Sequence, residues 1–234
     1  MAERDKTMTL INWPNHSCPS PDQHIRIHFS PVISPVDDSG YPSRHELYHL
    51  AFLLRQKLVP DLVPLIFRAA GLFSRSTITK CQTRRIGPAH SCVYLVTPQI
   101  YSTVRVQSPV VKVRFTIIAN DWGLDRSIGQ SGFSAGVIRG GLSPLREEWD
   151  EVKRFAEHAL VHERLVVVNT PGSDDLEKHV VEWKTDSEDA EEAAWVRALA
   201  VGDRIAVKAW ARWASFENLV SSVEISVYTA AIVR

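Results

Sequence analysis

Residues 110–118 read VVKVRFTII, and from Val111 onward apolar and polar side chains alternate. The apolar positions are Val111, Val113, Phe115 and Ile117, and the polar positions between them are Lys112, Arg114 and Thr116. Successive side chains of a strand point to opposite faces of its sheet, so the alternation predicts one buried and one solvated face. Antiparallel sheets are commonly solvated on one face, whereas parallel sheets are covered by helices on both. The stretch therefore predicts an antiparallel sheet.

Two later stretches repeat this alternation. Their apolar positions are Ile205, Val207, Ala209, Ala211 and Trp213 in the first, and Val223, Ile225 and Val227 in the second. With the β-branched runs elsewhere, candidate strands span 93–96, 104–106, 110–118, 165–168, 179–183, 204–213 and 220–228. Seven or eight strands predict a mainly β protein, an antiparallel β-sandwich with a jelly-roll-like arrangement. Residues 144–160 fit either a helix or an extended crossover, and acidic residues 186–192 predict a solvated loop.

A helical hairpin is predicted before the strands. Ser43 and Glu46 have the spacing of a capping box. The apolar stripe that follows consists of Leu47, Leu50, Ala51, Leu54 and Leu58. Pro60 ends this helix, and Asp61 can cap a second helix. The apolar residues on one side of that second helix are Leu62, Leu65, Ile66, Ala69 and Ala70. We expect one structural domain, with an irregular segment and a short strand in 1–42, the hairpin in 43–76 and the sandwich in 77–234.

The overall composition excludes several classes of protein. Lys plus Arg and Asp plus Glu number 27 each, so no net charge would gather nucleic acid by counterion release. The first ten residues contain charges and no hydrophobic run of the kind that a signal peptide needs. No stretch of about 18 residues is apolar throughout, so no membrane-spanning helix is expected. With only three cysteines, we expect a cytoplasmic protein with free thiols.

Several segments resemble a β-sandwich module found in uncharacterised fungal proteins. They are 195–199 (WVRAL), 202–207 (GDRIAV), 209–220, 223–225, and the strand at 110–117 followed by Asp-Trp-Gly-Leu at 121–124. Residues 58–73 are similar to the F-box-like helical segment that often precedes this module. The resemblance covers 58–229 and implies a β-sandwich without a secure activity. Leu124 replaces a tryptophan of the module, and Trp-Ala-Ser-Phe at 213–216 replaces Phe-Pro-Gly-Trp. Two loops at one sandwich end are therefore expected to be reshaped, and loops are where binding often resides.

No common catalytic or metal-binding motif is present. The glycines of 136–141 lack the lysine of a phosphate-binding loop and predict a flexible turn. Gly129, Ser131 and Gly132 do not have the spacing of a nucleophile elbow. The histidine pairs 24/28 and 158/162 lack marked metal partners, and solvated histidines are the preferred interpretation. Cys81 and Cys92 are expected to pack as small hydrophobic residues. We therefore predict neither a metal nor a cofactor.

The candidate site residues lie near the reshaped loops. Asp121 is the candidate catalytic carboxylate, although an aspartate that stabilises a turn is the simpler interpretation. The candidate substrate-binding residues are Trp122, Phe133, Trp210, Trp213, Phe216, Glu217 and Asn218. Most of these rings can be explained by core packing. Trp210 and Trp213, however, differ in parity on one strand, so at least one of them must contact something outside the main core.

These observations leave three alternatives open. The first is binding of a hydrophobic small molecule in a pocket of the sandwich. The protein would then be a cofactor-free cyclase or pericyclase of fungal secondary metabolism, whose pocket holds the substrate in a folded shape. The second is a non-catalytic module that binds glycan or protein through exposed aromatic rings, with the hairpin as an adaptor contact. A closed cavity lined by Trp122, Phe133, Trp210 or Phe216 would favour the pocket, and rings on an open surface would favour the module. A structural or degenerate copy is the third alternative, and a homodimer is possible in each case.

Overall fold

The computed structural model describes residues 26–28, 44–101, 108–123, 131–139, 159–173, 175–212 and 216–230. Within them the elements, in chain order, are β1 (Arg26–His28), α1 (Arg44–Arg55), α2 (Leu62–Ala69), β2 (Phe73–Ile86), β3 (Ser91–Val96), β4 (Val110–Gly123), β5 (Ser131–Ile138), β6 (Leu160–Val168), β7 (Glu177–Lys184), α3 (Ala190–Arg197), β8 (Arg204–Ala211) and β9 (Phe216–Ala230). The predicted strand at 104–106 and residues 144–158 lie outside the described residues.

The strands form two antiparallel sheets. The first contains five strands in the order β1-β2-β9-β4-β7, and the second contains four in the order β3-β8-β5-β6. Every neighbouring pair in both sheets is antiparallel. The prediction of a mainly β protein with antiparallel sheets is therefore confirmed. The short strand expected in 1–42 is also present, as β1 at one edge of the five-stranded sheet.

One hydrophobic core lies between the two sheets. Phe115 and Ile225 enter it from the five-stranded sheet, and Phe133 and Val207 enter it from the four-stranded sheet. The alternation of β4 is confirmed from residue 112 onward. At the start of β4 the alternation fails, because a register shift against β9 buries Val110 in the core and leaves Val111 half-buried. A β-bulge changes which side chains face inward, and sequence alternation alone does not reveal its position.

Two strands were not predicted, and each has a physical reason. β2 has few apolar residues, and Ile78 and Ile86 are its only contributors to the main core. β5 reads SGFSAGVI, and all eight of its residues are buried although several have little or no side chain. Gly136 lies within β5, so the predicted flexible turn is wrong at that position. The small residues of β5 allow side chains of the neighbouring strands to pack closely over it.

The two predicted helices are present and have a small core of their own. Leu47 and Ala51 of α1 pack with Val63 and Phe67 of α2. Helix α1 contacts β2 and α2 contacts β9. The first helix ends at Arg55, one turn earlier than its apolar stripe indicated.

Helix α3 lies where a solvated acidic loop was expected. The carboxylate of Asp189 accepts hydrogen bonds from the amides of Glu191 and Glu192, so it caps the helix N-terminus. Trp195 of α3 donates from Nε1 to the carbonyl of His162 on β6, at 2.7 Å. Its ring also lies 4.7 Å from that of Trp183 on β7, in an edge-to-face arrangement. The helix thereby contacts the edge strands of both sheets, where unprotected edges invite aggregation.

Candidate functional site

An open groove crosses the outer face of the four-stranded sheet. Its volume is about 550 Å³, and its lining residues are Ala89, His90, Ser91, Ser134, Glu163, Arg164, Leu165, Lys208, Trp210, Ala211 and Arg212. The groove follows from strand alternation in β8. Val207 and Ala209 face the core, so Lys208 and Trp210 point to the opposite side. The predicted difference in parity therefore places Trp210 outside the main core.

Trp210 forms an aromatic surface in this groove. Its indole packs closely on Gly132 of β5, where an added Cβ would lie 2.9 Å from the Cζ2 atom of Trp210. Because a larger residue at position 132 would occupy this space, the glycine allows the indole to lie low on the sheet. The guanidinium of Arg212 lies 4.8 Å from the Trp210 ring centroid, a distance typical of a cation–π contact. The ring is thus held between the sheet and a positive charge.

Polar groups line the groove next to this ring. Ser134 of β5 donates its hydroxyl hydrogen bond to the carboxylate of Glu163 on β6. Lys208 Nζ lies 3.4 Å from the other oxygen of the same carboxylate. The three side chains come from three adjacent strands and form one partly exposed network of a donor, an acceptor and a cation. His90 lines the same groove, and its Nδ1 lies 2.6 Å from the Pro88 carbonyl.

Arg164 connects the groove to the N-terminus of α3. Its guanidinium lies 2.5 Å from the carboxylate of Asp189 and 2.8 Å from that of Glu191. The amide of Glu192, and then the Arg164 charge, hold the pKa of the Asp189 carboxyl below its usual range. Two acidic partners thus fix Arg164, and Lys208 and Arg212 are the other two basic residues of the groove lining.

A buried polar cluster lies at one end of the core. Asp121 of β4 is paired in register with Asn218 of β9, and both side chains are fully buried. Asn218 donates from Nδ2 to the carbonyls of Gly132, at 3.0 Å, and Trp210, at 3.3 Å. Asn169 donates from Nδ2 to the Asn218 side-chain oxygen at 3.2 Å. Asn218 therefore connects the two sheets and holds the backbone beneath the groove.

The remaining candidate residues occupy different environments. Phe133 and Phe216 are buried in the protein interior. Trp122 is 50% exposed, with the Arg85 guanidinium 4.4 Å from its ring centroid. Arg85 also forms an ion pair with Glu217 at 3.1 Å. Trp213 lies outside the described residues, as do the loops at 124–130 and 213–215 that were expected to be reshaped.

Sequence reasoning identified part of this arrangement. Asp121 and Asn218 lie next to each other in a buried cluster, in which Asn218 donates hydrogen bonds to backbone carbonyls. Of the seven candidates within the described residues, Trp210 is the one that lines the groove. Lys208 shares its outward parity and could have been predicted from the same alternation. Ser134 and Glu163 could not, because their meeting depends on the pairing of β5 with β6 and on two register shifts within that pair.

Within the described residues, no group of three or more His, Cys, Asp or Glu side chains could hold a metal ion. His162 lies in a strand, while its possible partner at position 158 is outside the described residues. Neither Cys81 nor Cys92 is part of a disulfide bond among the described residues. None of the helices described is long and apolar enough to cross a membrane.

Comparison with known proteins adds little to these observations. No protein-family model matches the sequence, and no curated protein matches it. Among solved structures, a chain from the single-particle structure of maize chlorotic mottle virus is similar at 11% sequence identity. The match covers 67% of this chain and 96% of the virus chain, with a TM-score of 0.19. A TM-score of this size carries no argument about fold or function.

Proposed function

We propose that this protein is a non-catalytic binding module that holds a glycan in the groove of the four-stranded sheet. The observation that carries the proposal is the position of Trp210, whose indole lies in an open groove and outside the core. An indole gives a large contact area with little conformational freedom to lose on binding. Sugar rings have flat C–H faces that stack on such a surface, so Trp210 suits one ring of a glycan that displaces the exposed Arg212 side chain from the indole.

The polar groups beside Trp210 suit the hydroxyl groups of a sugar. Ser134 can donate or accept, Glu163 accepts, and Lys208 donates, so the network offers both kinds of partner. Hydrogen bonds to charged groups are stronger than those between neutral groups. Among the residues that line the groove, Arg164, Lys208 and Arg212 carry positive charges and Glu163 carries a negative charge. The excess of positive charge favours glycans that carry a carboxylate or a sulfate.

The strand pairing supports a jelly roll, which we propose as the fold. In a jelly roll one long hairpin is rolled up, so early strands pair with late strands in reverse order. Here β2 pairs with β9, β3 with β8, β4 with β7 and β5 with β6. Jelly rolls are common among lectins and viral capsid proteins. The jelly-roll pairing adds only modest support for glycan binding, because function depends on the site and not on the fold.

The other function that stays a prediction is a cyclase that acts on a hydrophobic substrate. It needs several aromatic rings around one enclosed cavity. Phe133 and Phe216 are packed in the interior, and Trp122 is on the surface beside Arg85. The groove is also lined by charged residues, which suit a polar ligand better. The geometry of the described residues therefore favours the binding module. The likeness to a fungal sandwich module with an F-box-like segment stays a prediction too.

The proposal is tested by glycan binding. We expect the purified full chain to bind members of an array that contains neutral, carboxylated and sulfated oligosaccharides, with preference for the anionic ones. Titration calorimetry with the best-bound oligosaccharide should show that Trp210→Ala weakens affinity by roughly tenfold or more, as for a central aromatic contact. Lys208→Ala should weaken binding of anionic oligosaccharides more than that of neutral ones.

Trp122→Ala provides the matched control, because Trp122 is an exposed tryptophan that also contacts an arginine but does not line the groove. Its affinity should equal that of the unchanged protein. Absence of binding to every class on the array would contradict the proposal. Equal losses in Trp122→Ala and Trp210→Ala would contradict the groove as the site.

A further inference from the structure

Helix α2 turns an apolar side toward solvent. Leu62, Leu65 and Ile66 are 44%, 62% and 36% exposed, whereas Val63 and Phe67 on the opposite side are buried. The helix therefore has two apolar sides, and its small core with α1 accounts for only one of them. A surface helix normally has charged or polar residues on the side opposite its core. The exposed side of α2 thus needs an explanation outside the hairpin.

The turn before α2 and the end of α1 also have exposed apolar residues. Val59 is 61% exposed, and Phe52 and Leu53 near the end of α1 are 59% and 46% exposed. We call these six residues the hairpin face: Phe52, Leu53, Val59, Leu62, Leu65 and Ile66. Each of the six is between 36% and 62% exposed, so together they present several hundred Å² of apolar surface. Apolar patches of this size on monomers are at the upper end of the usual range and often functional.

We propose that the hairpin face is the interface through which two copies of this chain form a dimer about a two-fold axis. A standard interface buries about 800 Å² per partner, with an apolar centre and a polar rim. The hairpin face supplies most of that area as its centre. Such a strongly apolar centre is characteristic of homodimers, since interfaces between different proteins contain more polar surface.

The charges next to this face are compatible with self-association. The six residues themselves are uncharged, so they offer no single charge that would select a different partner. Lys57 and Asp61, which flank Val59 in the turn, are exposed and have opposite signs. In a two-fold arrangement each surface meets itself, so a rim with both signs is self-complementary. This inference is independent of the proposed glycan groove, which lies on the four-stranded sheet.

Sedimentation velocity of the full chain tests the dimer. Over a concentration range of about 1–100 μM we expect a reversible monomer–dimer equilibrium. Leu65→Glu should weaken the dimer by roughly tenfold or more, because each copy would bury a carboxylate without a partner. Leu65→Gln should weaken it less and tests the same contact without adding a charge. Circular dichroism of both variants should match the unchanged protein, since Leu65 is exposed in the monomer.

Leu176→Glu is the matched control, because Leu176 is a leucine of similar exposure, 46%, in the loop before β7. Its dimerisation constant should equal that of the unchanged protein. The proposal is overturned if the unchanged protein is monomeric over the whole range, as it would be if another segment or a different protein covered the face. It is also overturned if Leu65→Glu and Leu65→Gln dimerise normally, or if Leu176→Glu weakens the dimer equally.

Discussion

Tyr94 shows how one side chain can connect the two sheets. It is fully buried, and its hydroxyl donates to the carbonyl of Gln82 on β2. Lys80, also on β2, donates from Nζ to the Tyr94 carbonyl at 3.2 Å and lies 4.5 Å from its ring centroid. A buried hydroxyl with a partner stabilises the fold, whereas the ionised form would be costly there. Tyr94 thus links β3 of one sheet to β2 of the other.

Burial raises the pKa of Tyr94 above its usual value, more than its hydrogen bond to the Gln82 carbonyl lowers it. Because the folded state then holds this proton more tightly than the unfolded state, the stabilisation is complete below pH 10 and is lost as pH rises beyond that value. We expect the free energy of urea unfolding to fall above about pH 10 in the unchanged protein and to fall less steeply in Tyr94→Phe.

At neutral pH, Tyr94→Phe should cost about 1 kcal/mol, because the Gln82 carbonyl loses its donor. Tyr101→Phe is the control, because Tyr101 is an exposed tyrosine that also donates to a nearby oxygen, and its stability should not change. Identical alkaline profiles for the unchanged protein and Tyr94→Phe would show that Tyr94 is not the group responsible.

Residue patterns alone give only part of the candidate site. The outward direction of Trp210 follows from alternation in β8, because parity is a local property of a strand. The contact between Ser134 and Glu163 is not local, because it depends on which strands pair and in what register. Asn218 was predicted as a binding residue, yet its hydrogen bonds go to the backbone at Gly132 and Trp210. A polar residue near a strand end therefore has no clear role until its neighbours across the core are known.

At the scale of the strand, β5 depends on glycine in two different ways. An added Cβ at Gly132 would lie 2.5 Å from the carbonyl oxygen of Val167, a backbone atom that cannot move without disturbing the ladder. An added Cβ at Gly136 would lie 2.3 Å from the Cδ2 atom of Leu160, a side chain that is only partly buried. The first contact is fixed by the sheet, and the second can be relieved by rotation of a side chain.

We therefore expect Gly132→Ala to lower the unfolding free energy by about 2–3 kcal/mol, near the upper end for overpacking of a core. Gly136→Ala should cost clearly less, and chemical denaturation of both variants gives the comparison. Because Trp210 packs on Gly132, Gly132→Ala should also change the fluorescence of Trp210. Equal losses, or a larger loss for Gly136→Ala, would show that the backbone contact at position 132 is not the limiting one.

The same strand explains why part of the fold escapes prediction. Strands with alternating large residues, such as β4, β8 and β9, are evident from the sequence. β5 is not, because its small residues resemble a turn and its burial comes from the strands on both sides of it and from the facing sheet. β2 is not, because polar residues fill its outer face and Lys80 takes one of its inward positions. Strand propensity therefore allows a strand to be predicted from the sequence only where its packing requires large apolar side chains.

At the scale of the whole molecule, the sheets and the hairpin differ in the size of the hydrophobic core that stabilises each. The sheets are tied together by pairings between distant segments, such as β2 with β9, and by one extensive core. The hairpin has only four fully buried apolar residues, Leu47, Ala51, Val63 and Phe67. Regions with few buried contacts open locally at a lower free energy than the whole protein. The hairpin should therefore exchange its amide hydrogens without unfolding of the sheets.

Hydrogen exchange followed by mass spectrometry measures this difference directly. We expect peptides from α1 and α2 to exchange much faster than those from β4 and β9, which pair on both sides within the five-stranded sheet. Phe67→Ala should accelerate exchange in the hairpin and leave the central strands unchanged. Equal acceleration in β9 would instead show that hairpin and sheets unfold together. If two copies pair through the hairpin face, its protection should also rise with protein concentration, while that of β9 stays constant, because only the dimer covers that surface.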